Sequence, residues 1–161
     1  MAEINGLLSK GLEQGYAGGT ERQTAQRGPF KLESSQLITP EGGIYIDQWI
    51  ADRTGGGQEI VQIGNEKSTR LYAGGTIGIG ELQKLGLTKK DVTKKLKQFI
   101  KEAGSKTRLM ENYTPQSDGD WQYSYEIINA LKEIPLTVGM ETIKFRGTLV
   151  FAHGFLRSPI E

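Results

Sequence analysis

The chain has 161 residues with 22 glycines, no cysteine and a formal net charge of +1 at pH 7. This length suits a single domain, 1–161, or two halves that share one core. The near-neutral charge gives no long-range field for nucleic acid or a membrane, so neither is expected as a partner. Without cysteine, disulfides, a thiol nucleophile and thiolate metal ligands are excluded. The first residues lack a signal-peptide pattern and no apolar run reaches membrane-spanning length, which predicts a cytoplasmic protein.

The first half of the chain predicts one helix and a series of short strands. Residues 3–14 are expected to form an amphipathic helix that ends at Gly15, because four aliphatic residues lie at helical spacing: Ile4, Leu7, Leu8 and Leu12. A weak strand at 30–32 precedes a stronger one at 44–50. In the stronger strand, alternation places isoleucines on one face and an aromatic and acidic set on the other: Tyr45, Asp47 and Trp49. Either that second face borders a ligand site, or both faces are covered.

The middle of the chain predicts a hairpin, a connector and a long helix. A loop from Gly64 to Ser68 is expected to join strands at 57–63 and 70–72. A glycine-punctuated connector with one helical turn at 81–85 follows. The helix is expected from Thr88 to Ala103, since Thr88 is placed to cap it. Its buried stripe consists of Val92, Leu96, Phe99, Ile100 and Ala103. Its lysine stripe is interpreted as a solvated face: Lys90, Lys94, Lys97 and Lys101.

The last part of the chain predicts further strands and an irregular tail. Strands are expected at 107–110, at 121–127, where Trp121, Tyr123 and Tyr125 share one face, at 139–145 and at 150–153. A tight turn at Arg146-Gly147 is expected to join the last two. The tail, 156–161, is expected to be irregular.

One pattern occurs twice in the sequence. Residues 57–63 and 139–145 both read Gly, any residue, Glu, any residue, a β-branched residue, any residue and a large apolar residue. Each is followed by a turn and by aromatic-Ala-x-Gly. We therefore predict an α+β fold made of a duplicated α-β-β-β unit, with repeats at about 3–76 and 82–157. The sheet is expected to be mainly antiparallel with two helices packed on one face, or as a variant to wrap around a cleft.

The two repeated glutamates are the first candidates for chemistry. By strand alternation, Glu59 shares a face with Val61, and Glu141 shares one with Ile143. A carboxylate on the apolar side of a strand must be paired, protonated or placed at the edge of the core. Two such residues are compatible with an acid/base pair. The structural interpretation, which the duplication favours, is that backbone amides or an arginine hold each of them.

The single histidine and the aromatic strands supply the remaining candidates. His153 is expected to share a face with Phe151 and Leu149, either as a structural residue or as a catalytic one, and it cannot form a metal site alone. Aromatic residues with a few polar neighbours are typical of small-molecule pockets and equally of a sheet core. The candidate binding residues are Tyr45, Asp47, Trp49, Glu59, Trp121, Tyr123, Tyr125, Glu141 and His153. No metal site, cofactor or assigned catalytic residue is predicted, and the phosphate-loop and nucleophile-elbow motifs are missing from the sequence.

Short motifs along nearly the whole chain resemble one protein family. They include Tyr16-Ala17-Gly18-Gly19, Gly57-Gln58-Glu59, Trp121-Gln122-Tyr123 and Gly139-Met140-Glu141. They are similar to those of a family of small bacterial domains of unknown function, which carry a Tyr-Ala-Gly-Gly segment and a Gly-x-Glu strand in each half. The resemblance implies the fold and supplies no activity.

Three functional hypotheses follow from the sequence. The first is a non-catalytic module that binds or senses an unknown small ligand or peptide through the aromatic faces and the Gly-x-Glu carboxylates. The second is a hydrolase that uses Glu59 or Glu141 with help from His153. The third is a protein-interaction module that forms a homodimer through an exposed sheet edge or an apolar patch.

Overall fold

The computed structural model describes residues 2–19, 21–50, 52–106, 108 and 111–161. Among these residues there are three helices and eight strands, which confirms the α+β class. The helices are α1 (Ala2–Gln14), α2 (Ile79–Lys84) and α3 (Lys89–Ala103). The strands are β1 (Gln23–Arg27), β2 (Phe30–Ile38), β3 (Ile44–Ile50), β4 (Thr54–Ile63), β5 (Glu66–Thr76), β6 (Trp121–Ala130), β7 (Thr137–Phe145) and β8 (Thr148–Pro159).

All eight strands belong to one antiparallel sheet, in the order β1-β2-β3-β4-β5-β8-β7-β6. The strand β5 comes from the first half of the chain and β8 from the second. They pair from Ser68–Pro159 to Thr76–Phe151, so the two halves of the chain meet at the centre of the sheet. β1 and β6 form its outer edges.

The helix α3 begins and ends as the sequence predicts. The Thr88 side chain accepts a hydrogen bond from the Asp91 backbone amide, and the Asp91 carboxylate accepts one from the Thr88 amide. This capping box satisfies two of the amides that every helix start leaves open. Gly104 ends the helix with a φ of 52°, which is strained for other residues. The predicted apolar stripe is buried and packs with residues of β6, β7 and β8: Tyr123, Ile143, Val150 and Phe151.

The helix α1 packs closely on β3 and β4. Its aliphatic residues form a core cluster with Tyr45 and Val61: Ile4, Leu7 and Leu8. Gly11 permits this approach, because a Cβ there would lie 2.5 Å from ring carbons of Tyr45. β3 therefore buries the face that carries Tyr45 and Asp47, and it leaves the isoleucine face half-buried or exposed. Hydrophobicity alone would have chosen the opposite face.

Most strands extend further than predicted, and three differences have a clear cause. β1 and the outer part of β2 form a hairpin that was not predicted, because β1 is polar except for Ala25 and all of its residues are exposed. The turn at Gly64-Asn65 has the minimal two residues, since Ile63 pairs directly with Glu66. β8 continues to Pro159, although 156–161 was expected to be irregular, because β5 pairs with it as far as Pro159 and β7 as far as Arg157. The strand expected at 107–110 lies outside the described residues, apart from Arg108.

The pairing of β7 with β8 contains an irregularity that changes one predicted face. The register shifts between Ile143 and Lys144, and Val150 is left without a partner in the register. Val150 and Phe151 are therefore both buried, while Leu149 is exposed. The expectation that Leu149 shares a face with His153 and Phe151 was wrong for this reason.

Candidate functional site

Glu59 lies in the core, held by an arginine and a tyrosine. It is fully buried on β4. Its carboxylate accepts hydrogen bonds from Nε and Nη2 of Arg70 on β5, the latter at 2.7 Å, and from the Tyr45 hydroxyl at 2.8 Å. Burial acts to raise the pKa of Glu59, but the charge and hydrogen bonds of Arg70, together with smaller contributions from its other neighbours, outweigh it, so the pKa lies below the ordinary value. This carboxylate is therefore ionised at neutral pH.

Glu141 has the same kind of partners from different places in the chain. Arg108 donates from Nε at 2.9 Å and from Nη2 at 2.7 Å, and the Tyr123 hydroxyl donates at 2.7 Å. Arg108 precedes β6 in sequence, has a φ of 58° and is buried. Burial is again opposed by the arginine, and the pKa of Glu141 is lowered. Both glutamates match the structural interpretation in which an arginine holds each of them.

The two ion pairs are joined to each other. Nη1 of Arg70 donates to the Arg108 backbone carbonyl at 2.6 Å. The Phe155 ring of β8 lies against both guanidinium groups, with its centroid 5.7 Å from Cζ of Arg70 and 4.9 Å from Cζ of Arg108. The two ion pairs and the Phe155 ring thus form one connected network across β4, β5, β8 and β7.

A cavity of about 280 Å³ lies beside this network. Trp49 of β3 and Tyr16 form part of its wall, with their ring centroids 6.0 Å apart at 87°. Further apolar side chains in the lining are Leu12 of α1, Ile50 of β3, Leu96 of α3 and Phe151 of β8. Its residues come from both halves of the chain, because β5 and β8 adjoin at the centre of the sheet.

The polar part of the lining is formed by Asp47, Tyr72 and His153. The Tyr72 hydroxyl donates to Oδ1 of Asp47 at 2.9 Å, and the Tyr72 and His153 rings lie 5.5 Å apart. Burial, and after it the charge of Glu59 on the adjacent strand, raises the pKa of Asp47 to about 7. Burial lowers the pKa of His153 to about 4, although the Glu141 charge opposes it. At neutral pH the histidine is uncharged and the aspartic acid is partly protonated.

The remaining polar lining residues are mostly cationic. The cavity is bordered by Arg22, Arg53, Lys89 and Lys97, against Glu33 and Asp52. Arg22 forms an ion pair with Glu33 at 3.2 Å, and its Cζ lies 5.5 Å from the Trp49 ring. Lys97 Nζ lies 5.1 Å from the Tyr16 ring, and partial burial lowers its pKa. These contacts favour a negative group on a ligand near these side chains.

Three of the nine predicted binding residues line the cavity: Asp47, Trp49 and His153. The others are not part of it. Tyr45 and Tyr123 are buried donors to the glutamates, Tyr125 is buried in the core, and Trp121 packs on Phe145 with a centroid distance of 4.7 Å. Glu59 and Glu141 are likewise excluded from the lining, because their carboxylates are enclosed by the arginine pairs.

Sequence reasoning missed Tyr72, Tyr16 and Arg108 as cavity residues. Tyr72 was placed on a predicted strand, and its alternation with Arg70 was the available signal. Tyr16 follows α1, and no periodic pattern orients it. Arg108 was placed on the strand expected at 107–110, and nothing in that pattern indicated that its side chain lines the cavity.

The described residues contain no group of side chains arranged to hold a metal ion. None of the described helices is long and apolar enough to cross a membrane. Comparison with family models, curated proteins and solved structures finds no match to this chain. The resemblance to a bacterial domain family of unknown function therefore stays a prediction.

Proposed function

We propose that this protein is a non-catalytic binding module that takes a small organic molecule into the cavity beside Asp47, Trp49 and His153. The observation that carries this proposal is the cavity itself, in which aromatic walls meet a few convergent polar groups. Its volume of about 280 Å³ is at the lower end for ligand pockets, which favours a small molecule over a peptide.

The lining favours a planar organic anion. A flat ring fits against Trp49 and Tyr16, which offer rigid aromatic surface. A neutral hydrogen-bonding group would meet Asp47, Tyr72 and His153, each of which offers a polar atom. A carboxylate or phosphate would meet the cationic side chains, where Arg53 and Lys97 supply charge.

The hydrolase hypothesis has one contact in its favour. His153 Nδ1 lies 3.7 Å from Oε2 of Glu141, so a small movement would bring the two atoms within hydrogen-bond distance. A general acid or base needs a pKa near the working pH, and the pKa values of both groups are lowered. Glu141 also holds Arg108 in the core, so using it as a base would disrupt a buried ion pair. Binding without catalysis explains the geometry better.

The two tryptophans provide a direct test of the cavity. Trp49 lines it and Trp121 lies outside it, and the sequence contains no others. In a Trp121→Phe variant, fluorescence reports on Trp49 alone, and a library of small organic acids is expected to contain compounds that quench or shift it in a saturable manner. In a Trp49→Phe variant the same compounds should leave the emission of Trp121 unchanged. Equal responses in the two variants, or none in Trp121→Phe, would contradict the proposal.

We also propose self-association through the open face of the sheet as a second function. A row of side chains on that face crosses four strands in register: Gln58, Leu71, Leu156 and Val138. Leu71 and Leu156 are 45% and 43% exposed although they lie at the centre of the sheet. The row carries no charge, so two copies could face each other without repulsion.

We infer further that the two halves are copies of one unit in a single domain. The support is the similar environment of the two glutamates, each with a tyrosine from the strand on one side and a bidentate arginine. The strand order β3-β4-β5 followed by β8-β7-β6 also has the arrangement expected of two units related by a twofold axis. Strand register pairs Glu59 with Arg70 and Glu141 with His153, so the histidine would replace an arginine, and in this alignment the aromatic-Ala-x-Gly segments at 72–75 and 151–154 are not equivalent.

A further inference from the structure

Arg157 is a buried arginine for which the described residues supply no carboxylate. It is 8% exposed on β8. Its Nη2 donates to the amide oxygen of Asn5 in α1 at 2.6 Å, and its buried Nη1 has no hydrogen-bond partner among the described residues. Burial, and after it the positive charge of Arg70, lowers its pKa to about 10, so it remains charged at neutral pH.

The other two buried arginines described above each have the carboxylate partner that Arg157 lacks. Arg70 and Arg108 are each held by one glutamate through two hydrogen bonds. Glu59 is near enough to influence Arg157, but its hydrogen bonds go to Arg70 and Tyr45. A buried cation without a counter-charge is costly, and an anion that reached it would recover much of that cost.

Arg157 borders a groove of about 460 Å³. Part of the lining is apolar: Ile4, Leu131, Pro135 and Ile160. Two lysines, Lys67 and Lys132, and two glutamates, Glu66 and Glu161, also line it, and their charges balance. The net positive charge of the groove therefore comes from Arg157.

This groove is separate from the proposed ligand cavity. His153 and Arg157 lie on the same face of β8, four residues apart, which is about 13 Å along a strand. Between them Phe155 packs against Arg70 and Arg108, which fills the space with core side chains. The lining residues of the cavity and the groove do not overlap.

We propose that Arg157 anchors the carboxylate of a second ligand, a medium-chain fatty acid or similar aliphatic acid whose chain lies in the groove. The guanidinium offers the planar donors that a carboxylate accepts, and it already keeps one bond to Asn5 that fixes its orientation. The apolar lining provides for the chain.

Calorimetric titration with octanoate, octanol and inorganic phosphate tests this assignment. Octanoate is expected to bind at least tenfold more tightly than octanol, which lacks the charge, and than phosphate, which lacks the chain. Octanol binding as tightly as octanoate would overturn the role of Arg157. Phosphate binding as tightly would overturn the role of the groove.

Variants locate the binding in the structure. Arg157→Gln removes the charge and should weaken octanoate at least tenfold, whereas the matched control Arg22→Gln, a cation of the other cavity, should leave its affinity unchanged. Leu131→Glu changes a residue that is 42% exposed, so the fold should persist, and its carboxylate should repel octanoate. Wild-type affinity in either Arg157→Gln or Leu131→Glu, or an equal loss in Arg22→Gln, would contradict the proposal.

Discussion

Asp47 and His153 line the same cavity and respond to burial in opposite directions. Burial destabilises the charged form of each group, which raises the pKa of the acid and lowers that of the base. Both residues are therefore largely neutral near pH 6, beside ion pairs that stay charged. At this part of the cavity a ligand would meet the uncharged hydrogen-bonding groups of Asp47 and His153.

The opposite shifts predict opposite pH dependences of stability. The pKa of Asp47 rises from 3.8 to about 7 on folding, so between these values the folded state holds more protons and stability falls as pH rises. The pKa of His153 falls from 6.5 to about 4, so in that window the folded state holds fewer protons and stability increases with pH. Each slope is at most about 1.4 kcal/mol per pH unit, and in the native protein they largely cancel.

Single variants should separate the two contributions. Urea unfolding between pH 5 and 6.5 measures both variants. Relative to the native protein, the free energy of unfolding of Asp47→Asn is expected to rise with pH, and that of His153→Asn is expected to fall with pH. The range starts at pH 5 because Glu59 and Glu141, whose pKa values are lowered, lose stabilisation only as pH falls below the ordinary value of 4.5. Parallel slopes in the two variants would mean that the two residues are not buried as described.

Strand alternation was sufficient to predict that Glu59 and Glu141 face the core, but not what they bind. The partner of Glu59 is its cross-strand neighbour Arg70, so knowledge of the register would have identified it. The partner of Glu141 is 33 residues away, on a strand expected at 107–110 whose pairing the sequence does not indicate. Tertiary contacts of this kind are set by the whole fold and leave no local signal.

At the scale of elements, the Gly-x-Glu motif has a packing explanation. A Cβ at Gly57 would lie 2.6 Å from Cζ of Tyr72, and a Cβ at Gly139 would lie 2.7 Å from Cζ of Tyr125. In each strand the glycine makes room for a tyrosine ring from a neighbouring strand, two residues before the buried glutamate. The glycine of the motif thus allows a tyrosine ring to pack against the strand backbone, and the glutamate of the motif forms the ion pair.

Alanine at these glycines should therefore be costly. Gly139→Ala is expected to lower the free energy of unfolding by about 1–3 kcal/mol, as other overpacked cores do. The matched control is Gly154→Ala on β8, where a Cβ would meet nothing within 4 Å and should cost little or stabilise slightly. Thermal and urea unfolding measure both variants. A cost for Gly154→Ala as large as that for Gly139→Ala would show that the loss comes from the backbone rather than from the tyrosine.

Elements with strong local signals were predicted and those with weak signals were missed. The capping box and apolar stripe of α3 and the alternation of β3 placed both to within a residue. β1 is polar and exposed on both faces, so it has no alternation to detect. The end of β8 carries Arg157 and Pro159, residues that ordinarily argue against a central strand. Pairing with β5 as far as Pro159, and with β7 as far as Arg157, outweighs that preference.

At the scale of the whole molecule, the open sheet face predicts self-association. Sedimentation between micromolar and near-millimolar concentrations is expected to show a monomer–dimer equilibrium. A Leu71→Lys, Leu156→Lys double variant should shift it to monomer with little change in stability, since both side chains are exposed. The control Ile134→Lys changes a residue that is 63% exposed outside the strands and should leave it unchanged. A native protein that stays monomeric throughout would exclude this dimer.

The strand order could not be derived from the sequence. Turn signals predict hairpins such as β4-β5 and β7-β8, because their partners are adjacent in the chain. The pairing of β5 with β8 joins residues more than 70 positions apart, and the cavity depends on that pairing. Asp47 and His153 were each named as candidates from local patterns. Their proximity in one cavity could not be predicted, because it depends on this long-range pairing.

The central β5–β8 pairing also makes the cavity a joint between two halves of the chain. If the chain were cut at Gly78, each fragment would carry part of the lining, with Trp49 and Tyr72 on one and Phe151 and His153 on the other. Suppose that a ligand contacts both parts of the lining. Association of the fragments then increases the affinity for the ligand by some factor, and the bound ligand increases the affinity of the fragments for each other by the same factor. A ligand of the cavity would therefore hold the two halves of the chain together. In a chain split at Gly78, binding of that ligand would be detected as reassembly of the two fragments.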